Sequence, residues 1–435
     1  MLNSKLDTLP SWLAYLEQLH PTAIEMGLER VEKVRSDLNL SPHFPVITVG
    51  GTNGKGSVCA LLESILTEAG YVVGCYTSPH LVHYNERIRI NRVPMPDQQI
   101  VEAFVKVNQS RERCAVSLTY FEFSTLAAMF LFESQPVDVT ILEVGLGGRY
   151  DAVNIFDPDC VILTNVAMDH MDYLGDTREA IGYEKAGIFR TDRSAVYSDS
   201  DIPATVNQYA QEIKAHLLKF QYDFGFNIEA SHWNYWSNTR QRNVLPRPAL
   251  FGANQYKNAS ACLAALDTLS DHLPVDMQSI RKGLLNVVLP GRFQILSLQP
   301  MIIVDVAHNP AAAAVFSENL ISSKPQNLTG KTFMVFAMLQ DKDISGVVAA
   351  LKKEMDVWLL APIDHARGAN TKTLLENLYN QEITRENHAI HEFENIESAF
   401  DFACEQATKN DRICVLGSFH TASAVLQYQN RKIRQ

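Results

Sequence analysis

The stretch Val46-Ile47-Thr48-Val49-Gly50-Gly51-Thr52-Asn53-Gly54-Lys55-Gly56-Ser57 contains the residue types that hold phosphate. Glycines let successive backbone N–H groups converge on phosphate oxygens. Lys55 adds a compact positive charge, and a helix opening after the turn directs its positive end at the anion. The pattern predicts a nucleoside triphosphate held by Gly51, Thr52, Asn53, Gly54, Lys55, Gly56 and Ser57. In the usual P-loop the hydroxyl residue follows the lysine directly. Here Gly56 intervenes before Ser57, which argues against a GTPase or a kinase.

Other residues of chemical interest follow apolar runs. Glu143 ends Val139-Thr140-Ile141-Leu142 and precedes Gly145-Leu146-Gly147-Gly148-Arg149. A carboxylate there can hold Mg²⁺ together with the Ser57 hydroxyl, the ion bridging triphosphate oxygens. The glycines also fit a dinucleotide site, but the first strand-turn-helix position already belongs to the P-loop. Asp169 and His170 follow Thr164-Asn165, although imidazole by itself prefers softer metals than Mg²⁺. Lys185 stands near a helix end marked by Gly187. Beside a divalent ion at about 4 Å, at an effective dielectric of ~20, its ammonium would be repelled by roughly 8 kcal/mol. Carbon dioxide addition to the neutral amine would turn that repulsion into coordination. Asp305 and His308 follow the run Ile302-Ile303-Val304. Upstream of it, Arg292 is suited either to two-pronged phosphate binding or to an interdomain salt bridge.

The elements that must position these groups read as α/β. Val46–Val49, Val72–Tyr76, Val137–Glu143 and Cys160–Asn165 are short apolar runs separated by helix-length segments such as Val58–Ala69 and Phe123–Glu133. In a parallel sheet of this kind the ligand edge lies at the strand carboxyl ends. Ser198–Arg247 reads as an excursion of short strands. After a turn at Leu289-Pro290-Gly291-Arg292-Phe293 the rhythm resumes with strands Met301–Val306, Thr332–Ala337, Val357–Ala361 and Arg412–Leu416. The expected organisation is an N-terminal ATPase domain with a parallel-rich sheet, residues 1–296, and a smaller Rossmann-like α/β domain, residues 297–435.

A length of 435 residues favours two domains, and a net charge of -11 disfavours nucleic acid and anionic membranes as partners. No apolar run reaches the length of a membrane span, and Met1–His20 does not read as a signal peptide. The seven cysteines lack metal-type or disulfide-framework spacing, as expected of reduced thiols in a cytoplasmic protein.

Gly51–Ser57, Thr77-Ser78-Pro79-His80-Leu81, Leu118-Thr119-Tyr120-Phe121-Glu122, Glu143–Arg149, Glu184-Lys185-Ala186-Gly187-Ile188-Phe189-Arg190, Leu289–Phe293 and Asp305-Val306-Ala307-His308-Asn309-Pro310 occur in this order. Together they resemble the bacterial folylpolyglutamate synthase/dihydrofolate synthase family, a branch of the Mur-ligase-like ATP-dependent amide ligases. The resemblance spans nearly the whole chain. It implies ligation of L-glutamate to dihydropteroate and to reduced folates through an acyl phosphate, with ATP as co-substrate and two Mg²⁺. It assigns metal binding to Ser57, Ser78, Glu143, His170 and a carbamylated Lys185, and ATP contacts to Asn258, Arg292 and Asp305. Lys55, Lys185 and His308 are the catalytic expectations. The pterin acid is expected at Glu25, Met26, Gly27 and Leu28, at Thr119, Tyr120, Phe121 and Glu122, and at Tyr150, Asp151 and Ala152. The segment around Tyr120 resembles the bifunctional enzymes, and the protein is expected to be a monomer. Two departures are visible: Ser57 where many relatives have Thr, and Tyr150 where Leu is common. A cell-wall Mur ligase would need an additional N-terminal domain, for which the stretch ahead of the P-loop leaves little room. A binding module without turnover would not need Lys55, Glu143, His170 and Lys185.

Overall fold

The computed structural model describes residues 6–323 and 330–434. They group into two units. One comprises the described residues up to His80, Tyr84–Ala249 and Gln255–Val288; the other comprises Leu81–His83, Leu250–Asn254 and the described residues from Leu289 onward. The main division falls at Val288/Leu289, ahead of the expected 296/297. The reason is strand pairing: Gln294–Leu298 pairs antiparallel with Met301–Val304, so a cut at 296 would split a hairpin of the second sheet.

The N-terminal unit is built on β1 (Val46–Gly50), β2 (Val73–Tyr76), β3 (Ile88–Ile90), β4 (Val93–Pro94), β5 (Val139–Glu143), β6 (Cys160–Leu163), β7 (Ser194–Tyr197) and β8 (His216–Lys219). Their order in the sheet is β4-β3-β2-β5-β1-β6-β7-β8. The six strands from β2 to β8 are parallel, and β3 and β4 are added antiparallel at one edge. β1, β2, β5 and β6 are buried along their whole length, as expected of parallel strands covered on both faces. The chain leaves β1 toward β2 on one side and later crosses from β5 to β6 on the other. β1 therefore ends where the connections diverge, the place where such sheets bind ligands.

The helix Tyr120–Glu133 begins three residues earlier than the sequence suggests. A capping box between Thr119 and Glu122 satisfies the donors of its first turn. It packs with Leu9–Leu19, Glu29–Asp37 and Asp97–Cys114, where the Trp12, Phe104 and Phe123 rings meet at centroid distances of 5.4–6.3 Å. Burying each of these side chains contributes roughly 1.5–3 kcal/mol. The expected excursion of short strands is β8 plus a separate antiparallel sheet of β9 (Phe224–Ile228), β10 (Trp233–Ser237) and β11 (Gln241–Leu245). Asp267 anchors that sheet by accepting from the Tyr235 hydroxyl at 2.8 Å and from Arg242 at 2.5 Å.

The second unit is a six-stranded sheet of β12 (Gln294–Leu298), β13 (Met301–Val304), β14 (Thr332–Phe336), β15 (Val357–Leu360), β16 (Ala389–Glu392) and β17 (Arg412–Leu416), in the order β12-β13-β17-β14-β15-β16. All but β12 are parallel, and apolar clusters cover both faces. The α/β class with a parallel-rich first sheet and a smaller second α/β domain is the one expected. No described helix is long and apolar enough to cross a membrane.

Candidate active site

The glycine-rich loop leaves β1 and runs into the helix Lys55–Glu68. Two glycines are required by geometry. Gly51 has φ +131°, and a Cβ there would lie 1.8 Å from Thr164 Oγ1. Gly54, φ +87°, is the N-cap, so no capping side chain accepts from the first-turn N–H groups, an arrangement suited to an anion. Buried Asn258 lies over this turn, its Oδ1 3.2 Å from where a Gly54 Cβ would be. The rest of the loop is strapped to the segment after β6. Thr52 N–H donates to the Asn165 carbonyl at 3.0 Å, Asn53 N–H to Asn165 Oδ1 at 2.9 Å, and the Thr164 hydroxyl to the Asn53 carbonyl at 2.7 Å. The N–H groups of Thr52 and Asn53 thus hold the loop's shape.

Two amines converge on one carbonyl. Lys55 Nζ donates to Gly51 O at 3.0 Å and to Thr52 O at 3.2 Å, and Lys185 Nζ donates to Gly51 O at 3.2 Å. Lys185 is buried near the end of the helix Arg178–Ala186, with Gly187 at the C-cap. Burial and then the Lys55 charge push its pKa down to about 7, opposed by Asp169 and Asp151. Glu143, at the carboxyl end of β5, is also buried, and its Oε2 accepts from the Ser78 N–H at 3.0 Å. Ser57 is buried in the first turn of the P-loop helix. His170 sits after β6 with φ +53°, its Nε2 3.9 Å from Asp169 Oδ2. Among the described residues no three His, Cys, Asp or Glu side chains gather as a metal cage. Hydroxyl and carboxylate oxygens completed by phosphate oxygens and water do not need one, and hard oxygen donors such as Ser57, Ser78 and Glu143 fit Mg²⁺.

Of the residues expected at the pterin acid, Met26, Phe121 and Asp151 lie against the second glycine loop. The Phe121 ring fills the space where a Gly145 Cβ would be, at 2.7 Å, while Leu174 and Met26 approach Gly147 in the same way, at 2.9 and 3.7 Å. The Asp151 carboxylate accepts from the N–H groups of Gly145, Leu146 and Val153 at 2.8–3.0 Å. Burial raises its pKa to about 7, and those three donors work in the opposite direction. Its carboxylate shapes the loop, a duty the sequence does not reveal. Ala152 is buried beside it, and Tyr150 is exposed. Glu25, ahead of Gly27 and Leu28, accepts from His20 at 2.6 Å and from Arg30, and those contacts hold its carboxyl below the usual range.

In the second unit Asp305 follows β13 and accepts from the N–H groups of Phe293 at 2.7 Å and Ala307 at 2.8 Å. Burial raises its pKa, and Arg292 opposes that shift. Arg292 lies 5.2 Å from the Phe419 ring centroid, and the His308 ring lies 6.2 Å from the same ring. Arg292, Asp305 and His308 therefore gather around one turn and Phe419.

The Mur ligase middle domain matches residues 49–266 and the Mur ligase glutamate ligase domain matches residues 291–419. The dihydrofolate synthase/folylpolyglutamate synthase of Escherichia coli K12 is 42% identical over 420 residues, 96% of this chain and 95% of that one. The chain belongs to the dihydrofolate synthase/folylpolyglutamate synthase family. As a member it is an ATP-dependent ligase, the activity expected from the resemblance. Among solved structures, E. coli FolC in complex with DHPP and ADP superposes with a TM-score of 0.92 at 41% identity, covering 99% of this chain and all of the other. The Yersinia pestis bifunctional enzyme, solved with AMPPNP and Mn ion, gives a TM-score of 0.89 at 41% identity over 99% and 100%.

In this chain several residues at the candidate site carried no clear signal in the sequence. Thr164 and Asn165 were visible only as the end of a strand, yet they hold the P-loop. Arg30 bridges Glu25 to Glu122, at 2.9 Å from the latter. Its signal was its position just after Glu25–Leu28. Phe419 had no local signal, because Arg292 and His308, whose side chains lie against its ring, are distant in the chain.

Proposed function

We propose that this ligase transfers the γ-phosphoryl group of ATP to a carboxylate of dihydropteroate or of a reduced folate. The amine of L-glutamate then attacks the acyl phosphate. The new C–N bond forms, the C–O bond to phosphate breaks, inorganic phosphate leaves and the amine sheds a proton. The observation that carries this reading is the convergence of Lys55 and Lys185 on the Gly51 carbonyl at the glycine-rich loop, on the strand edge that also bears Glu143 and Ser78. Relatives solved with ADP and DHPP, and with AMPPNP, Mn ion and L-glutamate, support ATP, a divalent ion and glutamate as ligands here.

Gly51–Ser57 and Asn258 would hold the triphosphate, with Lys55 neutralising charge on the transferring group. Ser57, Ser78, Glu143, His170 and Lys185 would hold two Mg²⁺, which supply charge neutralisation to the phosphate oxygens. Lys185 would do so as a carbamate, and the support is geometric: a buried amine pressed toward a second lysine gains by becoming an anion. For Arg292, Asp305 and His308 the support is the family match, the approach of Arg292 and His308 to Phe419, and the bonds from Phe293 and Ala307 that fix Asp305 at the same turn. Glu25–Leu28, Thr119–Glu122 and Tyr150–Ala152 would take the pterin acid.

The test supplies ATP, Mg²⁺ and L-glutamate with either dihydropteroate or a reduced folate and identifies the products by mass. Glutamate addition to both is expected. Extension of reduced folate without any product from dihydropteroate would make the enzyme a monofunctional folylpolyglutamate synthase.

A further inference from the structure

Arg87 carries a charge that no described carboxylate of the N-terminal unit balances. It ends the short turn Tyr84–Arg87, and its carbonyl accepts from Thr77 N–H at 2.9 Å. This holds it at the carboxyl end of β2, on the sheet edge that bears Ser78 and Glu143. Its guanidinium lies 5.6 Å from the Tyr84 ring centroid and 5.3 Å from that of Tyr120. Its Nε donates to His80 Nδ1 at 2.8 Å, which assigns the ring proton to Nε2.

Every other half-buried or buried arginine of this unit has a carboxylate within 4.0 Å. Arg30 has Glu25 and Glu122, Arg89 has Glu63, Arg149 has Glu184 and Arg242 has Asp267. Among the described residues of this unit no carboxylate stands within that distance of Arg87, half-buried though it is. A guanidinium partly stripped of water by two aromatic rings and bonded to a neutral imidazole is a site prepared for an anion.

We propose that Arg87, framed by Tyr84 and Tyr120, binds the carboxylate of a glutamylated substrate that does not react. The proposal rests on the reading of Tyr120 as part of the pterin-acid site. Dihydropteroate has a single carboxylate, and the reaction consumes it as the acyl phosphate. A glutamylated folate carries at least two, one activated and one remaining an anion throughout. Of the two acids only the second keeps a free carboxylate throughout the reaction, and the planar fork suits a two-pronged contact with it. Arg87 is thus a specificity-determining residue for polyglutamylation.

The test is a comparison of Arg87→Gln and wild-type enzyme on dihydropteroate and on a reduced folate bearing one glutamate. The kcat/KM ratio of folate to dihydropteroate is expected to fall roughly ten- to a hundredfold in the variant, the range of one lost charge-assisted hydrogen bond. A folate whose non-reacting carboxylate is a carboxamide should lose a similar factor with wild-type enzyme and little more with the variant. Equal loss on both substrates would make Arg87 structural and overturn the proposal, as would no loss on either. If Arg87→Gln does not fold, wild-type enzyme decides alone: acceptance of the carboxamide as readily as the ordinary folate refutes the subsite. Absence of both reactions in wild-type enzyme would instead refute the proposed function.

Discussion

Replacing Arg30 by Met tests whether the loop Glu25–Leu28 is held in place by charge. Arg30 Nη2 donates to Glu122 Oε1 at 2.9 Å and to the Glu25 carbonyl at 3.1 Å, while Nη1 meets the Glu25 carboxylate. The Arg30 side chain is 19% exposed and that of Glu122 is 5%. Removing one partner of a buried pair costs about 3–5 kcal/mol, because the other charge remains buried. Glu122 keeps the Thr119 N–H at 2.7 Å and lies in the first turn of its helix, where the dipole returns about 0.3–1 kcal/mol. The expected loss is therefore about 2–4 kcal/mol, a fall in melting temperature of roughly 3–7 °C for a domain of this size. Met retains the length of the arginine stem and most of its packing. Adding Glu122→Gln to Arg30→Met should recover part of the loss, since the stranded charge is then gone. Thermal unfolding followed by circular dichroism measures the stability, and KM for the pterin acid reports the loop. A fall of less than about 2 °C together with an unchanged KM would refute the reasoning, because the pair would then be solvated and the loop placed by other contacts.

Gly51→Ala should weaken ATP binding by more than about tenfold, since its methyl meets Thr164 Oγ1 in a backbone conformation that side chains avoid. Wild-type affinity by calorimetry would show that the loop is not the phosphate site. Lys185→Ala should abolish most turnover and regain some with small carboxylates, and enzyme kept with ¹³C-bicarbonate and Mg²⁺ should show a carbamate signal by NMR. An unmodified Lys185 under those conditions excludes the carbamate. Arg292→Ala should lower kcat about a hundredfold with the melting temperature retained. A protein that melts early but has normal activity per folded molecule would make Arg292 structural.

The glycine-rich loop after β1, the α/β class and the strand-end position of Glu143 were legible in contiguous residues. Glycine's access to positive φ, an apolar run entering a turn and the helix after it are all local properties, so reading along the chain suffices. The excursion between 198 and 247 was legible as short strands, but not that β8 joins the main sheet. Four-residue strands such as β7 and β8 are too short for their pattern to stand out. Partners distant in the chain were decided by tertiary structure alone. Asn53 meets Asn165 across 112 positions, Lys185 meets Gly51 across 134, and Arg30 meets Glu122 across 92. These meetings follow from the sheet order, with β1 placed between β5 and β6, and from the packing of the N-terminal helices on Tyr120–Glu133. Arg87 is a related case: that no described carboxylate of its own unit stands beside it is a property of the folded surroundings, and no stretch of sequence contains it. Residue types determine which chemistry is available, whereas burial and the choice of partner determine which charges are balanced and which await a ligand.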